Sequence, residues 1–283
     1  MAADAARNCL FCTTVLVALL AIEHSAFAQT QQERRWCEGE DHPAPAQRIE
    51  ACSAVIKDSR DKDKGDAAAE SLTYRGLAYR LKGDIDHAIQ DYSQAIKLDG
   101  KLAIAFNNRA VAYDLKGEYD HALQDYEQAI KLKPSAQTYF NRGNVYLSKG
   151  QLDHAIDDFN QAIRLAPKFA PALDNRCWAR AVVGIVKQAL ADCNEALRLK
   201  SRNAATLISR AFVYLKMTQF DAAVSDYEAA LALDPNQAFA LYGRGLARLK
   251  NEDPLGETDI AAAKAMQPDI GQEYSRYGIQ GAH

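Results

Sequence analysis

Three sets of residues in this chain are of types that do chemistry. Six cysteines stand at Cys9, Cys12, Cys37, Cys52, Cys177 and Cys193, three histidines recur as His87, His121 and His154, and arginine and aspartate recur throughout. Thiolates that bind zinc or exchange electrons favour a Cys-x-x-Cys spacing, and among these cysteines the stretch CLFC from Cys9 to Cys12 supplies it. Cys37 with Cys52, and Cys177 with Cys193, are too far apart for that motif. The sequence holds no Gly-rich phosphate loop, no H-E-x-x-H and no G-x-S-x-G, so nucleophilic or metal-assisted hydrolysis has no local signature. What the remaining cysteines, histidines and charges do depends on the elements that carry them.

The first close pair lies in MAADAARNCLFCTTVLVALLAIEHSAFAQTQQ, where a short start with one Arg leads into an apolar run from Leu10 to Ile22 and then Ser-Ala-Phe-Ala. That order predicts a secretory signal peptide over residues 1–28, cleaved before Gln29. The apolar run is shorter than the roughly 20 residues that a membrane span needs, so no membrane insertion is expected after cleavage. Cys9 and Cys12 are lost with the leader, and the mature chain is placed in an oxidising periplasmic or extracellular compartment. A formal net charge of −3 gives no attraction to nucleic acid or to an anionic membrane.

The rest of the chain is repetitive. Rows begun at Ala69, Ala103, Ala136, Ala170, Ala204 and Ala238 put like residues in like columns, with a period of 34 and one residue lost before Ala136. Column 8 reads Gly76, Ala110, Gly143, Cys177, Ala211, Gly245, and column 24 reads Tyr92, Tyr126, Phe159, Cys193, Tyr227. Alanine repeats at Ala88, Ala122, Ala155, Ala189 and Ala223, and Pro134, Pro167 and Pro235 close three rows. Apolar residues recur at helical spacing on both sides of Gly83, Gly117, Gly150 and Gly184, so each row predicts two helices joined by a tight turn.

These columns resemble the tetratricopeptide repeat family, matching its Leu-Gly-x-x-Tyr, Ala-x-x-x-Phe and Pro positions, with Arg in place of Leu at column 7. The resemblance implies an all-α, right-handed α-solenoid of helical hairpins. Six repeats are assigned to residues 69–102, 103–135, 136–169, 170–203, 204–237 and 238–270. The sixth, KNEDPLGETDIAAAKAMQP, fits only with one residue deleted in its turn. Upstream, IEACSAVIKDSR aligns with IQDYSQAIKLDG, which makes residues 29–62 a degenerate hairpin that caps the N-terminus, with the charged stretch Asp61 to Asp66 as the joint. Ile270, Tyr274 and Tyr277 share one helical face, as expected of a capping helix within 271–283 that covers the last hairpin.

In an antiparallel pair of helices, columns 8 and 24 face each other. Cys177 and Cys193 therefore meet inside one hairpin, and Cys37 and Cys52 stand in nearly the same relation in the cap. In an exported chain such pairs predict structural disulfides, with a redox pair as the alternative. Column 7 is Arg75, Arg109, Arg142, Arg176, Arg210 and Arg244, while Asp91, Asp125, Asp158, Asp192 and Asp226 hold column 23 and Asp259 takes that place in the shortened sixth row. Their joint recurrence predicts a ladder of ion pairs between helices, within a repeat or with the next. The histidines sit at one repeated column, too far apart to share a metal, and read as exposed residues. No cofactor is implied.

In tetratricopeptide proteins one stripe of each first helix lines a groove that holds peptide segments. Here that stripe and its neighbours give Asn107, Asn108, Phe140, Asn141, Asn144, Trp178, Ile208, Phe212, Tyr242 and Leu246, more apolar toward the C-terminus. Trp178, Phe212 and Tyr242 are either aromatic anchors for a partner or packing residues beneath the final helix. The resemblance implies a non-catalytic scaffold of the bacterial cell envelope with a protein or peptide partner. A self-assembling wall-associated protein is the alternative, and a thiol-redox enzyme or a hydrolase a third.

Overall fold

A computed structural model describes residues 30–61 and 65–279. The leader expected over residues 1–28, with Cys9 and Cys12, lies outside the described residues. The helices group into two units, one up to Lys133 and one from Pro134 onward.

Unit 1 contains α1 (residues 30–38), α2 (Pro45–Asp61), α3 (Gly65–Leu81), α4 (Ile85–Leu98), α5 (Ala103–Leu115) and α6 (Tyr119–Leu132). Unit 2 contains α7 (Ala136–Ser148), α8 (Leu152–Leu165), α9 (Ala170–Val182), α10 (Val186–Leu199), α11 (Ala204–Lys216), α12 (Phe220–Leu233), α13 (Ala238–Lys250), α14 (Leu255–Met266) and α15 (Ile270–Arg276). No strand occurs among the described residues. The fold is all-α, and consecutive helices pair as hairpins.

The turn within each hairpin follows from one residue. Gly83, Gly117, Gly150 and Gly184 adopt φ of 88°, 75°, 70° and 89°, the left-handed conformation that glycine reaches without steric cost. The next residue's N–H then closes back to the carbonyl five residues earlier, as in Asp84 to Tyr79 at 2.9 Å and Ile185 to Arg180 at 2.8 Å, which satisfies a helix-end carbonyl. Thr218 and Glu252 take the same place in the last two hairpins, with φ of 56° and 60°. A β-branched threonine is strained there, so the turn is imposed by the packing of its two helices.

The sixth hairpin shows what its shortened row does. Pro254 stands where the other rows begin their second helix, and α14 has 12 residues against 14 in α12. On the N-terminal side α2 runs to Asp61, and α3 starts at Gly65, four residues ahead of the first row.

Small residues hold the helices of a hairpin close. A Cβ on Gly76 would meet the Tyr92 ring at 2.7 Å, and one on Gly143 the Phe159 ring at 2.7 Å. Both rings are fully buried, so the column-24 aromatics fill the space that the column-8 residues leave. Within each unit first helices also touch one another, α3 with α5 and α9 with α11, whereas among the described residues no second helix touches another. The first helices therefore form the inner face of each unit.

Candidate functional site

The recurrent charges form a ladder inside the hairpins. Arg75, Arg109, Arg142, Arg176 and Arg210 each donate two hydrogen bonds, from Nε and Nη2, to the carboxylate sixteen residues on: Asp91, Asp125, Asp158, Asp192 and Asp226. Arg244 does the same with Asp259 at a separation of fifteen, one residue being lost at the start of α14, after a turn that Glu252 closes as in the other rows. Each carboxylate is buried, and its two oxygens match the planar guanidinium fork. The remaining guanidinium nitrogen reaches the preceding hairpin's second helix: Arg75 to Ser53, Arg109 to Ser93, Arg176 to Asn160 and Arg210 to Asn194. One arginine thus ties its own hairpin together and binds it to the one before. The hydrogen-bonded carboxylates push the Arg75, Arg109, Arg142, Arg210 and Arg244 pKa values up, which keeps these cations charged at any relevant pH.

Two carboxylates carry a second arginine. Arg180 donates to Asp192 at 2.7 Å and Arg248 to Asp259 at 2.8 Å. Both stand at column 11, which is tyrosine in the other four rows. That tyrosine-to-arginine change was the available sequence signal for this second pairing. Where column 11 is Tyr79, Tyr113 or Tyr146, the ring packs on His87, His121 or His154 at 5.1 Å. His87 and His121 keep 58% and 63% of their side chains exposed, and no set of three metal-binding side chains converges among the described residues.

Disulfides join Cys37 to Cys52 and Cys177 to Cys193, with Cα atoms 4.6 and 5.5 Å apart. All four residues are buried. The second bridge stands where its neighbouring hairpins place a small residue against an aromatic ring, so it is a covalent form of the same contact between α9 and α10.

The inner-face residues have different surroundings in the two units. In unit 1, Leu77, Asn107, Asn108 and Val111 are half-buried. Asn107 donates to Asn108 at 3.3 Å, and its own Oδ1 accepts no hydrogen bond among the described residues. In unit 2, Asn141 accepts from Gln137 and Asn144 from Asn175. Phe140 packs between Phe159 and Phe169, 6.0 and 5.0 Å away. Phe212, Tyr242 and Leu246 are 0%, 5% and 3% exposed, which corrects their expected place on an open groove. For Phe212 and Tyr242 the physical reason is α15, whose Tyr274 packs on both and on Phe239 and whose Tyr277 packs on Phe212, while Leu246 is buried in the same apolar cluster. Trp178 is half-buried against Phe212, Phe239 and Tyr277, and Ile208 is half-buried beside it. Phe239 and Lys216 belong to this cluster too. Neither stands among the groove residues that the sequence singles out.

Asp174 is the exception on this face, because it is a carboxylate at a position filled by threonine, asparagine or an apolar side chain in the other rows. It is 8% exposed, its Oδ1 has no hydrogen-bond partner among the described residues, and burial pushes its pKa up despite the nearby Thr206 and Ser209 hydroxyls. A raised native pKa means that the folded state binds this proton more tightly than the unfolded chain does. Stability is then lost as pH rises from the ordinary carboxylate range through the raised value, and the loss is complete above it. Asp174→Asn is expected to raise the unfolding free energy at pH 7 by about 1 kcal/mol, an advantage that vanishes below about pH 4. Urea unfolding of both chains at the two pH values checks this, and equal stability at pH 7 would refute it.

Sequence comparison matches the tetratricopeptide repeat family at residues 103–135 and 136–169, a second TPR repeat model at 76–117, and a further tetratricopeptide model at 204–237. No curated protein matches the chain. Among solved structures, YrrB, described as a TPR protein with an unusual peptide-binding site, is 18% identical with a TM-score of 0.60, over 68% of this chain and 98% of its own. PilF of Pseudomonas aeruginosa is 19% identical with a TM-score of 0.63, over 75% of this chain and 98% of its own. PilW, described as a widely conserved type IV pilus biogenesis factor, is 20% identical with a TM-score of 0.62, over 71% of this chain and 94% of its own. At such identities these structures speak for the fold, and together with the matched repeats they make the chain a tetratricopeptide repeat protein.

Proposed function

We propose that the chain is a non-catalytic scaffold of the bacterial cell envelope, exported by a leader over residues 1–28, that holds a segment of a partner protein on the inner face of unit 1. The observation that carries this reading is the contrast between the two inner faces. In unit 2 the chain's own end covers the face, whereas in unit 1 Leu77, Asn107, Asn108 and Val111 stay half-buried, and among the described residues the side-chain amides of Asn107 and Asn108 bond only to each other. Asparagine amides donate and accept at once, which suits the alternating groups of an extended backbone. Arg80 and Asp114 lie on the same face, half-buried and without an ion pair to each other among the described residues, and burial pushes the Asp114 pKa up. They offer one group of each sign to a segment laid across them.

Export is supported by the two buried disulfides, since such bonds persist in oxidising compartments. Among the solved relatives, YrrB is described by its peptide-binding site and PilW by pilus biogenesis, which agrees with a scaffold role at the envelope. The chain's chemistry agrees as well: its recurrent charges are paired with one another, and its histidines repeat on a surface column instead of gathering at one place.

A photo-crosslinking residue at Val111, on the inner face, and one at Gln124, exposed on a second helix, test the reading in envelope extracts. One discrete adduct is expected from Val111 and none from Gln124. An adduct from Gln124 alone would move binding to the outer face, and none from either would refute the scaffold reading in that extract.

A further inference from the structure

The inner face of unit 2 shows by example what it accepts. Tyr274 stacks on Phe239 at 4.3 Å, lies 5.0 Å from Tyr242, and donates its hydroxyl hydrogen to the Phe239 carbonyl at 2.8 Å. One turn later, Tyr277 sets its ring edge-on to Trp178 at 5.2 Å and to Phe212 at 6.2 Å. Its carbonyl accepts from Lys216 Nζ at 2.9 Å, and the same ammonium donates to the carbonyls of Ala181 and Val182 at the end of α9. Covering the last hairpin requires contact only with α13 and α14. Tyr277 goes further, back to α9 and α11.

The two tyrosines are held unequally. Ile270 and Tyr274 are fully buried, while Tyr277 and Ile279 are half-buried at the rim. Beside α15 a notch of 350 Å³ opens between Trp178, Ile208, Phe239 and Glu273. The apolar face therefore continues alongside the segment that covers it. A segment attached to its own receptor has the advantage of high effective concentration, so a competitor must make contacts that the tethered segment does not. The notch supplies such contacts, because Trp178 and Phe239 turn one side to Tyr277 and line the notch with the other.

We propose that the inner face of unit 2 is a second receptor site, for a partner segment with two aromatic side chains three residues apart, and that Tyr274 to Ile279 is a built-in competitor displaced from its Tyr277 end. The proposal rests on reading the chain as a scaffold for a partner segment, but it concerns a different face from the one in unit 1. Lys216 adds a chemical preference. It is a half-buried cation whose bonded partners are neutral carbonyls and whose pKa burial pushes down, so a carboxylate following the second aromatic residue would suit it better than the Tyr277 carbonyl does.

The test uses a fluorescein-labelled peptide copying residues 268–279, PDIGQEYSRYGI, and the full disulfide-bonded chain with and without Tyr277→Ala. Fluorescence anisotropy is expected to show binding about tenfold tighter to the variant, because the competent open state is more populated. A peptide with both tyrosines replaced by alanine should not bind. Equal binding to both chains, or none to a variant with native circular dichroism, would overturn the proposal. Hydrogen exchange on the unaltered chain tests it without a variant: excess peptide should speed exchange of the chain's own 274–279 amides severalfold, and unchanged rates would refute displacement. A concentration-dependent dimer of the variant would overturn it in favour of exchange of α15 between two copies. Failure of these experiments while the Val111 adduct persists would remove the second site alone; loss of the Val111 adduct with the peptide result intact would remove the unit 1 reading alone.

Discussion

Asp192→Ala is expected to lower the unfolding free energy by about 3–5 kcal/mol, the usual cost of stranding a buried charge. Two guanidinium groups end on this carboxylate, Arg176 through Nε and Nη2 and Arg180 through Nη1, and both side chains are only 15% exposed. Removing the carboxylate leaves two cations without a counter-charge between α9 and α10. Asp125→Ala strands one arginine, Arg109, and should cost less. Glu195→Ala removes a partner of Arg198 that is solvent-exposed, and should change stability within experimental error. Urea unfolding of the three variants fixes the order, and Asp125→Ala as damaging as Asp192→Ala would refute the role given to Arg180. Replacing Asp192 and Arg176 together should recover part of the loss, because the penalty lies in the unpaired partner more than in the lost bond.

The ladder shows where the sequence was legible. A repeat prints the same contact several times, so Arg75 with Asp91 and its five counterparts stand out from a single chain. Antiparallel geometry then brings the two cysteines of a row together without any further information. What stayed illegible was whatever occurs once. The spacing of Ile270, Tyr274 and Tyr277 predicts a helix with an apolar face, but periodicity names a face and not its target. Tyr277 therefore could be placed on the last hairpin and not against Trp178, two repeats before it. Phe212, Tyr242 and Leu246 have the composition of a binding hot spot because a buried aromatic contact uses the same residues whether its second half comes from a partner or from the same chain. The third bond of four ladder arginines, Arg75, Arg109, Arg176 and Arg210, was also hidden, since the two serines and two asparagines that receive it share no letter, only an oxygen that accepts.

Breaking the Cys177–Cys193 bridge is the second large effect expected, and the other repeats say how to repair it. Replacing both cysteines with alanine should cost about 3 kcal/mol through the freedom returned to a loop of about 15 residues in the unfolded chain, with a further loss from the space left between α9 and α10. Hairpins 103–135 and 204–237 fill that space with Ala110 against Tyr126 and Ala211 against Tyr227, both rings fully buried. The variant Cys177→Ala with Cys193→Tyr copies that contact, so it should regain the packing part of the loss and none of the cross-linking part. Thermal unfolding should therefore rank the native chain first, the alanine and tyrosine variant second and the double alanine variant last. Adding a thiol reductant should lower only the native chain's midpoint among these three if Cys37 and Cys52 are replaced in all of them, and the drop should be slow, because both sulfurs are fully buried and open only when the hairpin does. A double alanine variant as stable as the native chain would refute the structural role of the bridge. Rapid loss of the bridge with no change in the midpoint would instead point to a thiol pair poised for exchange, and would reopen the redox reading that the spacing of these cysteines disfavours.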